Sequence, residues 1–454
     1  KRSDTFSRNF IFLLIMISNY HYKMSQPTTN LHITPSNVLS DGKVSYRAGN
    51  PVIQFIIGEQ QRALLGQSVR FCGKFSVFKG DGSTPLTTDT ININPRLGAY
   101  SMIDQIVIRS QRSHAVIEHI RHFGRMMASF VPYSSNLQDL VGHMGETHLT
   151  MPNPTLMKKS VVGIPSNKQT ANSFCMHLPC GLFNGTQAIP LDMTGGLLVE
   201  LHLSPDSNVL FNDDGSQTTN TDAFYEMKDV FLCAEAVDTP PSMTASTFEY
   251  NSVSSYFATI NSTNAIINFN LGLSNVLSVF ANLIPAKYIN NIGFDGMQTL
   301  PPLNKDGSKA DVKQLIFTRG GEKYPLEYNI DTSQKDDDRF PQYDPQIQRE
   351  GASAVRKFSG MSRTLVSPVN SFLRDYSTTE ADQTDRDQIE GGQSYIFGAN
   401  YDAISNQGVS FNTQNWGIQM DCGLTSENPH AVYLFVHSKN VLAFDGKGGV
   451  QVMH

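Results

Sequence analysis

The sequence predicts an all-β chain of two successive sandwich domains. Three observations carry that reading. Short runs of alternating apolar and polar residues are punctuated by Gly, Pro, Asn and Asp, the pattern of half-buried strands and their turns. Charged residues make up 17% of the 454 positions and hydrophobic residues 39%, against roughly 25% charge in ordinary globular proteins. Such a balance suits large contact surfaces, where unpaired charge is costly to desolvate. Finally, strand-like segments of the first half recur in the same order in the second, and a prior of roughly 100–200 residues per domain gives a chain of this length room for two full cores.

In chain order, Asn50 to Ile57 and Val69 to Phe78 read as strands separated by a polar connection from Gly58 to Gln67. Gly80-Asp81-Gly82-Ser83 is a turn, and Met102 to Arg109 is the next strand. The apolar positions Ile117, Ile120, Phe123, Met127 and Phe130 recur at three to four residues, which predicts a helix from His114 to Phe130 with Gly124 as its weak point. Strands follow at Phe174 to Pro179, Gly196 to Leu203 and Val230 to Val237, with an exposed loop between Asp206 and Asp222. Pro240-Pro241 marks the domain boundary. Beyond it, Ala265 to Leu271 and Lys313 to Thr318 read as strands, while Asn290 to Asp311 and Asp331 to Gly351 are too polar for a core. The division is therefore an N-terminal extension over residues 1–30, a first sandwich over 31–240 and a second over 241–454.

The internal repeat is the most informative feature. Ile103-Asp104-Gln105-Ile106-Val107-Ile108-Arg109 has a counterpart 209 positions later in Val312-Lys313-Gln314-Leu315-Ile316-Phe317-Thr318. Ile117-Glu118 corresponds to Leu326-Glu327, Gly196-Leu197-Leu198-Val199-Glu200 to Gly417-Ile418-Gln419-Met420-Asp421, and Phe224-Tyr225 to Val432-Tyr433. The order of these matches argues for a duplicated domain, far longer than a solenoid repeat, with each copy holding its own core.

Charge and cysteine content exclude several classes. Thirty-five Lys and Arg against 41 Asp and Glu give a net charge of −6, with no basic tail to neutralise nucleic-acid phosphates. A local basic face would have to come from Arg109, Arg112, Arg121 and Arg125. The five cysteines, Cys72, Cys175, Cys180, Cys233 and Cys422, are odd in number and scattered through apolar runs, so they read as reduced thiols rather than a disulfide framework. Phe10 to Ile17 is apolar and follows Lys1, Arg2 and Arg8, but it lacks a small-residue cleavage pattern and is too short to span a bilayer. Met24 reads as a natural start, and the competing reading of the preceding residues is an arm with an apolar anchor.

Taken together, the passage Tyr100 to Phe130, the Pro240-Pro241 junction, the repeat at Val312 to Thr318 and the closing passage from Gly408-Val409-Ser410-Phe411 to Ala443-Phe444 make the chain resemble major capsid proteins of the double jelly-roll lineage. The resemblance is to those of polinton-like viruses and virophages and, more distantly, of nucleocytoplasmic large DNA viruses; it extends over roughly Ser25 to His454. It implies two consecutive eight-stranded jelly-rolls with short helices in loops. Three chains would form a pseudo-hexagonal capsomer in an icosahedral double-stranded DNA virion assembled inside the host cell, with neighbouring capsomers, penton and minor capsid proteins as partners. It also implies no enzymatic activity, no cofactor and no sequence-specific nucleic-acid binding. The alternative is a β-sandwich attachment, fibre or carbohydrate-binding protein, for which Trp416 is the one tryptophan platform.

Chemical clusters are weak by comparison. His114, His119 and His122 lack a completing metal ligand, and Glu118 adjoins His119 on another face. His143, Glu146 and His148 lie among glycines. Cys175, His177 and Cys180 are better placed, since strand alternation puts Cys175 and His177 on one face, but Pro179 interrupts the set. Asp336-Asp337-Asp338 cannot converge on one cation and lacks the glycine of a calcium-binding loop. No nucleotide cradle or nucleophile elbow occurs. The sequence thus assigns no catalytic, cofactor-binding or metal-binding residues.

Overall fold

A computed structural model describes residues 28–37, 45–47, 51–78, 91–94, 97–134, 172–212, 222–238, 247–292, 296–297, 312–324, 396–401, 408–412, 415–422, 428–445 and 449–454. The Pro240-Pro241 junction, the histidines at 143 and 148, the acidic run at 336–338 and the apolar run at 10–17 lie outside them.

The first half contributes β1 (Thr28–Ile33), β2 (Ser45–Tyr46), β3 (Val52–Ile57), β4 (Arg62–Phe78), β5 (Ile91–Ile93), β6 (Ile103–Ser110), β7 (Val116–Ile120), β8 (Asn172–His177), β9 (Ala188–Pro190), β10 (Leu197–Leu203), β11 (Leu210–Asn212) and β12 (Phe224–Asp238). One sheet runs β1-β12-β4-β8, with β2 and β9 attached at its margins, and the other runs β3-β10-β6-β7. The second half contributes β13 (Thr247–Ile260), β14 (Asn264–Phe269), β15 (Val276–Pro285), β16 (Val312–Arg319), β17 (Glu322–Tyr324), β18 (Ile396–Asn400), β19 (Trp416–Cys422), β20 (His430–Phe444) and β21 (Val450–Met453). Its sheets run β13-β20-β15-β18, with β21 beside β20, and β14-β19-β16-β17.

Both halves therefore follow one path. Of eight principal strands in each, the first, eighth, third and sixth make one sheet, and the second, seventh, fourth and fifth make the facing sheet. That is the jelly-roll order, and it occurs twice in tandem. The repeat segments fall in matching places: β6 corresponds to β16, β10 to β19 and β12 to β20. Each of these is a central strand with neighbours on both sides, so its core-facing residues are the most constrained in pattern.

Several local expectations are corrected. β4 begins at Arg62, so Arg62 to Gln67 is strand and not connection; Ala63 to Leu65 pair with β9 on one side and β12 on the other. Residues 28–30, assigned to an extension, open β1 and pair with β12. The stretch after Asp206 contains a short helix (Asp206–Val209) and then β11, which pairs with β5. The helix expected from His114 starts at Phe123 and continues to Ser134 (α1). Residues 116–120 instead pair with β6, Ile106 opposite Ile120 and Ile108 opposite Glu118. His122 adopts φ 56°, a left-handed break that separates strand from helix. Helical spacing was accidental only at Ile117 and Ile120, where residues 117, 118 and 120 are all buried on a strand; Phe123, Met127 and Phe130 belong to the true helix.

The second sandwich encloses an aromatic core around Trp416, which is fully buried. Its ring lies 5.4 Å from Phe317, 5.7 Å from Phe411 and 5.7 Å from Phe269, and its Nε1–H donates to the Tyr401 hydroxyl at 3.2 Å. Trp416→Ala empties this centre and should lower unfolding free energy by about 3–5 kcal/mol. Ile266→Ala, at a position 68% exposed on β14, should change it by less than about 0.5 kcal/mol. Denaturant titration followed by circular dichroism distinguishes the two; equal effects would mean that the aromatic cluster is not the core of this domain.

Candidate functional site

β15 reads Val-Leu-Ser-Val-Phe-Ala-Asn-Leu-Ile-Pro and all ten residues are buried. Alternate residues go to different cores: Val279, Ala281 and Leu283 pack within the second sandwich, while Phe280 and Ile284 join the cluster that fills the first. β20 does the same, with Val432, Leu434 and Val436 turned inward and Tyr433 and Phe435 turned toward the first half. The sheet that contains β13, β20 and β15 is thus covered on both faces along β15 and most of β20. Its second cover is α1, buried at every position from Phe123 to Val131, together with β7.

Covering a sheet on both faces traps polar groups, and specific side chains satisfy them. Glu118, 2% exposed on β7, accepts hydrogen bonds from the backbone N–H of Gly181 at 3.0 Å, Leu182 at 2.9 Å and Val253 at 2.9 Å. The first two donors lie in the turn after β8, the third on β13 of the other sandwich. Beside it the Tyr250 hydroxyl donates to Ile117 O at 2.7 Å and Arg121 N donates to Ser255 Oγ at 2.8 Å. Asn282 Nδ2 donates to Arg125 O at 2.9 Å and Ser129 Oγ at 2.8 Å, which ties β15 to α1. The Arg125 guanidinium lies 5.0 Å from the Tyr433 ring centroid, a contact worth more when desolvated. Close approach here demands glycine: a Cβ on Gly181 would sit 2.4 Å from Asn251 O and 2.7 Å from Ser252 Cα.

Burial pushes the Glu118 carboxyl up to about 7, partly offset by its three backbone donors and the Cys180 thiol. Burial and the neighbouring carboxylate push Cys180 up as well. An acid enclosed by backbone amides holds two domains together; it has no open side from which to act on a substrate.

The residues singled out in the sequence are dispersed. His114 is exposed at φ 58°, His119 Nε2 is 3.1 Å from Gln105 Oε1, and His122 packs on Tyr433 with ring centroids 4.9 Å apart. They do not converge. Of the four arginines, Arg109 pairs with Glu200 and Arg112 with Glu59, Arg125 is buried in the seam, and Arg121 is exposed. Trp416 is inside a core and offers no platform for a sugar. Cys175 and His177 do share a strand face, but it is the outer one, because Phe174 and Met176 point inward. Cys180 lies with Glu118, and Cys175 is joined instead by Cys72 and Cys233, whose Sγ atoms all lie within 4.8 Å. Sequence reasoning missed that trio and the role of Glu118. An acid inside the run Val116-Ile117-Glu118-His119-Ile120 was a readable sign of a buried polar contact; the convergence of three cysteines depends on strand register.

No family profile and no curated protein sequence matches the chain. Solved structures do. A chain of the Sputnik virophage structure determined by cryo-EM superposes with a TM-score of 0.54 at 11% identity, covering 94% of this chain and 88% of that one. A chain of the quasi-atomic PBCV-1 virus capsid gives 0.51 at 10%, covering 94% and 97%. PBCV-1 VP54 fitted into a Sputnik reconstruction gives 0.51 at 9%, covering 95% and 97%. These likenesses extend over both sandwiches, and the fold is a double jelly-roll.

The seam makes a pH-dependent prediction. The folded-state pKa of Glu118 stands above its ordinary 4.5, so its contribution to stability is complete below about pH 4.5 and is lost as pH rises through about 7, by about 3 kcal/mol in total. Glu118→Gln keeps one acceptor oxygen but turns an amide toward a backbone donor, which should cost about 1–3 kcal/mol and remove this pH dependence. Melting both proteins between pH 5 and 8 should show the wild type losing ground relative to the variant; parallel curves would refute the buried-acid account.

Proposed function

We propose that this chain is the major capsid protein of an icosahedral double-stranded DNA virus, and that three copies form a pseudo-hexagonal capsomer. One observation carries the reading: a complete jelly-roll is repeated in one chain and the two copies are locked by a buried seam. A trimer of such chains presents six similar corners, so it can occupy hexagonal lattice positions without any subunit changing shape. The likeness to chains from the Sputnik virophage structure and the PBCV-1 virus capsid supports the same role. The chain divides between Asp238, where β12 ends, and Thr247, where β13 begins. Neighbouring capsomers, penton and minor capsid proteins are its partners, the virion shell is its location, and it works without catalysis, catalytic cofactor or sequence-specific contact to the genome.

The other reading, an attachment or carbohydrate-binding protein, loses its tryptophan platform to the core of the second sandwich. Light scattering on the purified, unassembled chain tests the choice. A mass three times that of the chain, persisting on dilution, is expected; a stable monomer with no lateral self-association would favour the attachment reading.

A further inference from the structure

Cys72, Cys175 and Cys233 lie on β4, β8 and β12, three neighbouring strands in the order β12-β4-β8. Cys175 is directly opposite Cys72, and Cys233, two residues from the Phe231 that faces Cys72, is opposite Arg70. Alternation sends Phe71, Phe174 and Leu232 into the core, so the three thiols emerge together on the outer face. Cys72 is 6% exposed and the other two are half-buried. Cys72 Sγ is 3.1 Å from Cys175 Sγ and 3.7 Å from Cys233 Sγ, and all three sulfurs lie within 4.8 Å of one another.

We propose that these three cysteines bind one thiophilic closed-shell cation of the zinc class, and that the ion staples β8 to the rest of its sheet. A zinc–sulfur bond of about 2.3 Å places sulfurs of a tetrahedral site about 3.8 Å apart. Reaching that spacing opens Cys72–Cys175 by about 0.7 Å, leaves Cys72–Cys233 nearly unchanged and closes Cys175–Cys233 by up to about 1 Å, changes that side-chain rotation supplies. Three ligands on one sheet face leave the fourth vertex pointing outward, to be filled by water or another group. Soft thiolates with no carboxylate among them select zinc or copper(I) over magnesium or calcium. Binding replaces thiol protons by the metal, so three protons leave and a zinc tris-thiolate carries one net negative charge. Arg70, in the same sheet row, stands next to that charge and acts on Cys233 favourably. Without metal, the proximity of the thiols and their burial favour the protonated form, which makes affinity fall as pH falls.

The mechanical consequence follows from topology. Among the described residues, β8 ends the β1-β12-β4-β8 path and pairs there with β4 alone. An ion bonded to β8, β4 and β12 at once holds this end strand by bonds that side-chain packing on an exposed face cannot supply.

The test uses the full chain purified under a phosphine reductant, stripped with a chelator and titrated with zinc and with cobalt(II). One metal per chain is expected, with a sulfur-to-cobalt charge-transfer band, a higher melting temperature and slower amide exchange in residues 172–177. Cys175→Ser and Cys233→Ser, at half-exposed positions, should each weaken binding by more than about a hundredfold, while circular dichroism shows that both variants fold. Absence of the charge-transfer band, an unchanged band in both variants, or metal binding that leaves exchange at 172–177 unaltered would overturn the proposal. So would a Cys72–Cys175 disulfide found by mass spectrometry in protein prepared without reductant and competent to form no metal site after reduction.

Discussion

The double burial of β15 and β20 is the constraint on which the rest of the molecule depends. A sheet with one wet face tolerates a sloppy neighbour, because water satisfies whatever the neighbour leaves unpaired. A sheet covered on both faces does not. A polar group buried at the seam gains from a partner, and leaving one unmet costs about 1–3 kcal/mol. Glu118 meets this demand by receiving amides from both sandwiches with one carboxylate, and Asn282 meets it by clasping the backbone and a hydroxyl of α1. Gly181 lets the chains approach closely enough for those bonds to form.

This arrangement converts two domains into one body. Interfaces between domains of one chain are ordinarily modest and polar, and relative motion is their default. Here Phe280, Ile284, Tyr433 and Phe435 belong to the same buried cluster as the residues of the first sandwich, so any hinge motion would expose apolar area. For the proposed shell role that rigidity matters, since six corners of a capsomer keep hexagonal spacing only if the two sandwiches of each chain keep a fixed angle.

The outer face of the first sandwich shows a different economy. Its β12-β4-β8 surface lacks a covering layer among the described residues, and it gathers three thiols beside charged pairs such as Lys74–Asp229 and Lys228–Glu226. His32 stacks on Phe231 at 4.4 Å along the same face, so the thiols are partly screened from water. Cohesion in the two sheets thus comes from different sources: packing from both sides in the second sandwich, and side-chain chemistry on one side in the first.

Much of the fold was legible in the residues. Alternation located β3, β10 and most of β4, and the repeat matched β6 with β16 and β10 with β19 because central strands keep their inward pattern. Two successive all-β sandwiches follow from that local periodicity, which each strand carries by itself. Periodicity failed where a residue is covered from more than one side. β15 has no alternation because both its faces are buried, and the spacing at Ile117 to Phe130 imitates a helix because β7 is enclosed on both faces and then gives way to a true helix. The contacts that matter most were set by tertiary structure alone. Glu118 and Val253 are 135 residues apart in sequence, and Cys72 meets Cys175 and Cys233 across 103 and 161 residues. Sequence determines which faces are apolar. Which strands become neighbours, and in what register, is decided by how two sandwiches pack, because only that packing brings distant side chains within bonding distance.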